Sequence, residues 1–378
     1  MKILFLILLF TATALPAQVA ELTLLDVSTK QPIPNVEAYY ARSLNGTITN
    51  EEGKLRIAVE NDTLTLSHIG YATKKIFTDK TFAKATIYLN PQEIQLEEVV
   101  LYNFDLKKRV KYVLDNYFKL YDTKAKILEC TYREKTTKND KLIRLYQNQL
   151  NWWSKNYVYQ FKEPLNKFTH IQLKSTDYSK IIGKEEDTSN ELSLEQRRLI
   201  MYLHLNPYLV FLYNAKTIDI KKVEKDNEYT IVTFDADFGK FDLNVFNSVI
   251  YFDNQTNAIK KIIFNQVPYT KERVSEKSKI PYKSTSEFAT WELTFTSYKD
   301  KLLFSSFAVK AKVRVEFEEK TYIYFSEENF LRTGIQNKHI KKEDRIDVEK
   351  PFFEYVTPHK QGEAKFLLTK EEQEFINQ

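Results

Sequence analysis

Residues 46–71 constrain the fold of this chain more than any other stretch of its sequence. Apolar and polar residues alternate around two turn-like segments, 50–53 and 61–62, which contain Asn, Asp and Gly residues. A period of two buries one face of a β-strand, and Gly adopts the positive φ that tight turns need. The pattern predicts a double hairpin, with Gly70 separating it from another short strand at 71–77.

Several motifs in this region resemble those of the carboxypeptidase-regulatory-like domain. They are Leu25-Asp26, the turn at 29–36, Gly46-Thr47, the segment 49–54 and the segment 67–71. The resemblance covers about residues 21 to 101, and residues 96–100 resemble the tail that follows this domain in bacterial outer-envelope proteins. Asn35 stands where the family usually has Gly, and Asn also tolerates the left-handed conformation. The resemblance implies a transthyretin-like, Greek-key β-sandwich at residues 18–101 without catalytic function.

The N-terminus has the pattern of a secretory signal peptide, predicted at residues 1–17. Lys2 precedes an apolar run at 3–10, and small residues at 12, 14 and 17 place the cleavage site after Ala17. That run is too short for a transmembrane helix, and no later apolar run is long enough for one. The mature chain is therefore expected in the periplasm or on the periplasmic face of the outer membrane. An uncleaved membrane anchor is the alternative.

The composition disfavours nucleic acid as a partner and favours regular strands. The chain has 56 Lys and Arg against 51 Asp and Glu, a formal net charge of +5, with no basic stripe. Its 24 Tyr and 26 Phe accompany only 7 Gly, which is typical of long strands. Cys130 is the single cysteine, so no intramolecular disulfide is available.

After the sandwich, the pattern predicts a linking helix at 102–122 and an antiparallel-sheet α+β domain at 123–378. Apolar residues recur at helical spacing in 103–122, and Asn103 or Asp105 is the expected cap. From residue 127 the period returns to two and predicts a hairpin around 138–140. Its residues Tyr132, Leu145 and Trp152 are expected to share one face of the sheet.

The sequence pattern of the remaining residues predicts two short helices and a strand meander. A capping box at 193–196 opens a helix that stops before Pro207, and the apolar run 208–213 is a buried turn or the rim of a cavity. Strand patterns follow from 217 to 325, interrupted by a charged loop at 270–284, and a capping box at 369–372 starts a C-terminal helix. The predicted fold is mainly β, and the second domain has a large curved antiparallel sheet with a few helices on one face. Residues 102 to 330 loosely resemble the uncharacterised region that follows the regulatory-like domain in related outer-envelope proteins.

The sequence contains none of the standard catalytic or cofactor motifs. The five histidines lie at no metal-ligand spacing, and the seven glycines form no phosphate loop or nucleophile elbow. His339 and Glu343, one helical turn apart, are interpreted as a surface ion pair. Paired carboxylates of a hydrolase have no sequence signature, because their spacing arises only in the fold. We therefore expect no cofactor, no metal and no enzymatic activity.

Aromatic side chains are the candidate ligand-binding residues of the second domain. They are Trp152, Trp153, Tyr157, Tyr159 and Trp291. Adjacent residues on a strand face opposite sides, so one of Trp152 and Trp153 belongs to the core and the other faces solvent or a groove. An exposed Trp can stack on a sugar or line an apolar slot, and plain packing is the alternative that aromatic residues adopt more often.

Three functions remain open from the sequence. The first is a non-enzymatic exported envelope protein that binds an apolar or polymeric ligand, such as a lipid or glycan, or a partner protein. The second is a secreted hydrolase acting on peptide or glycan, and the third is a purely structural assembly factor. A deep apolar cavity favours a carrier, a filled core favours docking, and two converging carboxylates in a cleft favour an enzyme.

Overall fold

A computed structural model describes residues 18–68, 70–91, 104–182, 196–225, 227–239, 244–274, 279–350, 352–356 and 367–378. The predicted signal peptide at 1–17, the tail motif at 96–100 and the first three residues of the capping box at 193–196 lie outside these ranges. The chain forms two compact units. The first extends to Gln92 and includes Lys365–Leu367, and the second comprises Glu93–Ala364 and Leu368–Gln378.

The first unit consists of two β-sheets that share one apolar core. Its strands are β1 (Val19–Asp26), β2 (Glu37–Tyr40), β3 (Gly46–Ile48), β4 (Lys54–Ala58), β5 (Asp62–His68), β6 (Tyr71–Thr78) and β7 (Lys84–Leu89). One sheet has the order β4-β1-β7 and the other β3-β2-β5-β6. Leu22 and Leu55 of the first sheet and Ala38 and Leu64 of the second belong to one buried cluster. The predicted sandwich is confirmed.

The strands within residues 46–71 lie where the alternation predicts them, but the double-hairpin prediction is wrong. β3 and β5 belong to one sheet and β4 to the other, so neither predicted turn joins paired strands. β4 pairs instead with β1, and the hairpin in this region is the β5–β6 pair around Gly70. Gly53 makes the first crossing possible, because its φ is +69° and a Cβ there would lie 2.5 Å from the Leu24 carbonyl oxygen.

The second unit contains an eleven-stranded sheet. Its strands are β8 (Lys126–Lys138), β9 (Lys141–Ser154), β10 (Thr169–Ile181), β11 (Thr217–Lys225), β12 (Tyr229–Asp237), β13 (Asn244–Asp253), β14 (Ile259–Asn265), β15 (Tyr269–Val274), β16 (Pro281–Tyr298), β17 (Lys301–Phe317) and β18 (Lys320–Gln336). Their order is β10-β9-β8-β18-β17-β16-β14-β13-β12-β11, and β15 pairs with β16. The prediction of a large antiparallel sheet is confirmed. The prediction of a charged loop at 270–284 is wrong, because most of these residues form β15 and the start of β16. The sequence pattern does not indicate β15, since its side chains are mostly exposed and show no apolar alternation.

Among the described residues of the second unit, the helices are few and short. They are α1 (Leu106–Asp115), α2 (Tyr117–Leu120), α3 (Leu165–Phe168), α4 (Gln196–Tyr202), α5 (Leu205–Tyr213) and α6 (Lys370–Asn377). Asp105 caps α1, and its Oδ1 accepts a hydrogen bond from the Lys108 amide at 2.9 Å. The run 208–213 lies inside α5 and is not a turn. Pro207 is tolerated in the first turn of α5, where the amide groups need no helical partner.

Helices pack on both faces of the large sheet. Residues of α1, α2, α4 and α5 join the core that contains Trp152, whereas Phe375 and Ile376 of α6 pack with Leu145 and Tyr178. Leu145 and Trp152 are seven positions apart on β9, and an odd separation places them on opposite faces. The predictions that all helices lie on one face and that Leu145 shares the Trp152 face are therefore wrong.

The C-terminal helix is held on its face by a buried ion pair. Thr369 and Glu372 form the predicted capping box. The Glu372 carboxylate also accepts from Arg133 at 2.6 Å and lies 3.2 Å from Lys135. Burial raises the pKa of Glu372, but the two cations outweigh that effect and the pKa is lowered. One carboxylate thus caps the helix and anchors it to β8.

Candidate functional site

Trp152 lies at the centre of the aromatic core between the large sheet and its helices. Its side chain is 1% exposed, and its indole Nε1 donates to the Thr169 hydroxyl at 2.9 Å. Four rings surround it edge-on at centroid distances of 5.1–5.8 Å: Tyr157, His204, Phe304 and Phe330. The gap beside Trp152 measures about 20 Å³, room for about one water molecule. The aromatic side chains therefore fill this part of the core.

The tyrosines near Trp152 also serve packing. The Tyr157 hydroxyl donates to the Lys126 carbonyl at 2.8 Å and is buried. Tyr159 is half-buried, and its amide and carbonyl bond the side chain of Asn206 at 2.8 and 3.0 Å. Trp291 is 6% exposed further along the same core, 5.5 Å from the Tyr202 ring. The structure brings Trp152, Tyr157 and Tyr159 together.

Trp153 points to the opposite face of the sheet, as the alternation predicts. Its ring stacks on His170 at 4.8 Å with 11° between the planes, and His339 lies 5.5 Å away. His170 thus covers one face of the indole. The same histidine borders a polar cleft of about 780 Å³, which we call the edge cleft because Thr169 and His170 belong to the edge strand β10. The edge cleft is lined by Asn166, Thr169, His170, Lys342, Arg345, Ile346, Asp347, Val348 and Glu349.

His170 connects β10 to the segment that forms the other wall of the edge cleft. Its Nε2 lies 2.9 Å from both the Asn166 carbonyl oxygen and Arg345 Nη1, and one ring nitrogen cannot donate to one and accept from the other. Burial, Arg345 and His339 hold the pKa of His170 below its usual value, although Asn166 raises it. Because a guanidinium only donates, we assign a neutral ring whose bare Nε2 accepts from Arg345. The Ile346 amide adds a bond to the Ile171 carbonyl at 2.9 Å.

A buried polar cluster lies on the Trp152 face of β8, β9 and β18. Glu134 and Glu328 are directly paired across β8 and β18, and each is 4% exposed. Arg144 Nη1 donates to Glu134 at 2.6 Å, and the Tyr132 hydroxyl donates to Glu328 at 2.7 Å. Tyr146 makes a further short hydrogen bond to Glu134. Two carboxylates from distant parts of the chain therefore converge.

Aromatic side chains cover this polar cluster. The Phe352 ring lies 4.6 Å from the Tyr132 ring, and Arg144 lies 4.5 Å from the Phe353 ring centre. Burial, and then Glu328, raises the pKa of Tyr132 well above its usual value, so its phenol keeps its proton. Burial lowers the pKa of Arg144, but Glu134 and Tyr146 outweigh it and raise the pKa. The cluster is an internal ion pair with its hydrogen-bond donors, and all of its side chains are buried in the structure as described.

The residues predicted from the sequence do not include this cluster, although a signal for it is present. Glu134 continues the core-facing alternation of Cys130 and Tyr132, and Glu328 continues that of Phe330. A charged residue at an apolar position of a strand pattern indicates a buried, paired charge. The partner of each charge has no such local signature, since it is supplied by another strand.

The buried side chain of His204 is expected to make the stability of the second unit depend on pH. Burial lowers its pKa from 6.5 to about 4, against a smaller raising effect of the Ile200 carbonyl, which accepts from Nδ1 at 2.7 Å. The folded state thus binds the proton more weakly than the unfolded chain, so stability is complete above pH 6.5 and falls as the pH drops towards 4. We expect the unfolding free energy to lose up to about 1.4 kcal/mol per pH unit in this window.

Asn provides the matched control for His204. Its side-chain nitrogen comes close to the position of Nδ1, so His204→Asn keeps the donor to Ile200 without a titrating ring. Urea unfolding followed by tryptophan fluorescence reports the second unit, because all 3 Trp residues belong to it. The variant should show a flatter stability profile between pH 4 and 6.5, the window set by the His204 pKa. An unchanged slope would contradict the assignment.

Comparison with protein families identifies part of the chain. Residues 23–101 match the CarboxypepD_reg-like domain. The chain carries a CarboxypepD_reg-like domain. This confirms the resemblance drawn from the turn and glycine motifs. No curated protein matches the chain.

Solved structures overlap with the chain only loosely. A LolA superfamily protein from Nitrosomonas europaea has a TM-score of 0.23 and 9% identity, covering 65% of this chain and 99% of its own. Lipovitellin has a TM-score of 0.27 and 8% identity over 58% of this chain, which spans 26% of lipovitellin. A Bacteroides fragilis protein of unknown function has a TM-score of 0.15 and 8% identity, covering 84% of this chain and 98% of its own. Superpositions this loose assign neither a fold nor a ligand.

Two further properties concern the part of the chain that the structure describes. Within it, no three His, Cys, Asp or Glu side chains gather in a geometry that would hold a metal ion. No helix within the described ranges has both the length and the apolar character needed to cross a membrane.

Proposed function

We propose that this protein is a non-enzymatic scaffold of the bacterial cell envelope that binds a partner protein at its surface. The observation that carries the proposal is the filled core around Trp152, where the gap of about 20 Å³ leaves no space for a lipid or glycan. The edge cleft, at about 780 Å³, is a surface site of mixed charge with Lys342 and Arg345 beside Asp347 and Glu349. Such mixed polarity suits the rim of a protein–protein contact.

Export is part of this proposal. The signal-peptide pattern at residues 1–17 and the CarboxypepD_reg-like domain support a location in the periplasm or on the periplasmic face of the outer membrane. The non-enzymatic role is supported by the burial of Glu134 and Glu328, which are each 4% exposed, with Phe352 and Phe353 packed on Tyr132 and Arg144 of the same cluster. Cell fractionation of the tagged full chain tests the location, and recovery in the cytoplasm would contradict it.

Lipid extraction and mass spectrometry of the purified protein separate a scaffold from a carrier. We expect no lipid or glycan at one equivalent per chain, since the gap beside Trp152 holds no more than about one water molecule. A stoichiometric lipid that survives gel filtration would overturn the scaffold function and establish a carrier.

Site-directed photo-crosslinking in cells tests the edge cleft. A photoreactive amino acid in place of Glu349, an exposed residue of the edge cleft, should capture a discrete envelope protein. The same group in place of Lys54, a 51% exposed residue of the first unit, is the matched control. Equal adducts from both positions, or none from Glu349, would contradict a partner site at the edge cleft.

A further inference from the structure

We propose that the outer side of helices α1 and α2 docks on a lipid surface that carries anionic headgroups. This rests on the proposed envelope location and goes beyond it by naming the surface and what it binds. The inner side of α1 is buried through Leu106, Val110 and Val113. The outer side carries Tyr112 and Phe118, which are 43% and 60% exposed. We call this outer side the aromatic–lysine strip.

The position of the strip follows from its contacts. Lys301 Nζ donates to the Phe118 carbonyl at 2.6 Å, which places the turn between β16 and β17 beside α2. At the other end, Lys107 Nζ donates to the Ala215 carbonyl at 2.6 Å, so the end of α5 lies beside α1. Tyr213, the last residue of α5, is 42% exposed there. The strip therefore presents the rings of Tyr112 and Phe118 on helices whose lengths sum to about 20 Å at 1.5 Å per residue, and Tyr213 of α5 adds a third ring beside it.

The charge of the strip selects an anionic partner. The lysines in or next to α1, α2 and the turn between β16 and β17 are Lys108, Lys111, Lys119, Lys124, Lys299 and Lys301, of which Lys301 already donates to the Phe118 carbonyl. The exposed acids in the same region are Asp105, Asp115 and Asp300. Asp115 is already paired with Lys111 at 2.8 Å. Lysines thus outnumber acids around exposed aromatic rings, and the whole chain has a far more even balance of 56 basic and 51 acidic residues.

Exposed rings flanked by lysines match the interface of a bilayer. An amphipathic element lies in the plane of the headgroups, where its rings enter the acyl boundary and its lysines extend towards the phosphates. Each lysine near an anionic surface strengthens adsorption roughly fivefold. Burying one phenyl ring adds about tenfold or more. Two or three rings with several lysines therefore give reversible adsorption, without insertion across the bilayer.

Vesicle sedimentation of the full chain tests the strip. We expect binding to vesicles of phosphatidylcholine mixed with phosphatidylglycerol, weak binding to phosphatidylcholine alone, and loss of binding at high salt. Phe118→Ser should lower the binding constant about tenfold, and Lys119→Glu should lower it by roughly fivefold or more. The matched control is Phe77→Ser, because Phe77 is a 64% exposed phenyl group on strand β6 of the first unit and lies outside the strip. Phe77→Ser should bind as the unmodified chain does.

Three outcomes overturn the proposal. One is equal sedimentation with neutral and anionic vesicles, and another is the same loss for Phe118→Ser and Phe77→Ser. The third is self-association of the free chain that Phe118→Ser abolishes, which assigns the strip to a second copy. These outcomes leave the scaffold function untouched, because that function fails on a different measurement, the recovery of a stoichiometric lipid from the purified protein.

Discussion

Replacing Glu134 by Gln is expected to destabilise the second unit by about 3–5 kcal/mol, because it removes the carboxylate that forms a buried ion pair with the Arg144 guanidinium. Glu134 and Arg144 are 4% and 3% exposed, and the 2.6 Å bond between them lies beneath Phe353. Gln preserves the side-chain shape and can still accept from Tyr146, so most of the loss reports the charge. Urea unfolding followed by tryptophan fluorescence measures it.

A double variant separates the charge from the packing. Arg144→Met in the Glu134→Gln background removes the cation that Glu134 neutralises in the unmodified chain, and we expect it to recover most of the lost stability. The matched control is Asp115→Asn, which breaks the exposed Lys111–Asp115 pair on α1 and should cost no more than about 0.5 kcal/mol. A loss below about 1 kcal/mol for Glu134→Gln would show that the guanidinium reaches water or another carboxylate.

Trp152→Ala is expected to cost about 3–5 kcal/mol, since it empties the centre of the aromatic core. Trp152 is 1% exposed and has four rings packed around it, so the surrounding side chains cannot all move into the cavity. The Thr169 hydroxyl also loses its indole donor. Trp152→Phe should cost less, because it keeps most of the ring volume and loses the hydrogen bond.

The adjacent residue provides the control for Trp152. Trp153→Ala removes an indole of the same size one position later, on the face where it stacks on His170. We expect a smaller loss of about 1–2 kcal/mol, because Trp153 is only partly buried and its cavity opens to solvent. Equal losses for the two variants would contradict the assignment of the core to the Trp152 face. The tryptophans that remain in each variant still report unfolding of the second unit.

The candidate sites were only partly predictable from sequence. Alternation on β9 was sufficient to place Trp152 and Trp153 on opposite faces, because the direction of a strand side chain depends on local geometry. The same alternation does not indicate that the Trp152 neighbourhood is filled, since neighbours such as Phe304 and Phe330 come from other strands. It also did not reveal the edge cleft, which forms where the segment around Arg345 passes beside His170.

The sequence by itself determined the local features of this protein. Its period of two identified most strands, the Thr369–Glu372 spacing identified the last helix, and the motifs around Gly53 and Gly70 identified the CarboxypepD_reg-like domain. These features depend on residues a few positions apart, whose geometry is set by the backbone alone.

Only the tertiary structure decided which of these elements meet. β4 pairs with β1 and not with its neighbours in sequence, and Glu134 meets Glu328 across nearly two hundred residues. Alternation specifies which face of a strand is buried, but the same face can be buried against several partners. The choice between them follows from packing and charge pairing over the whole unit, a sum of contacts that no local pattern contains.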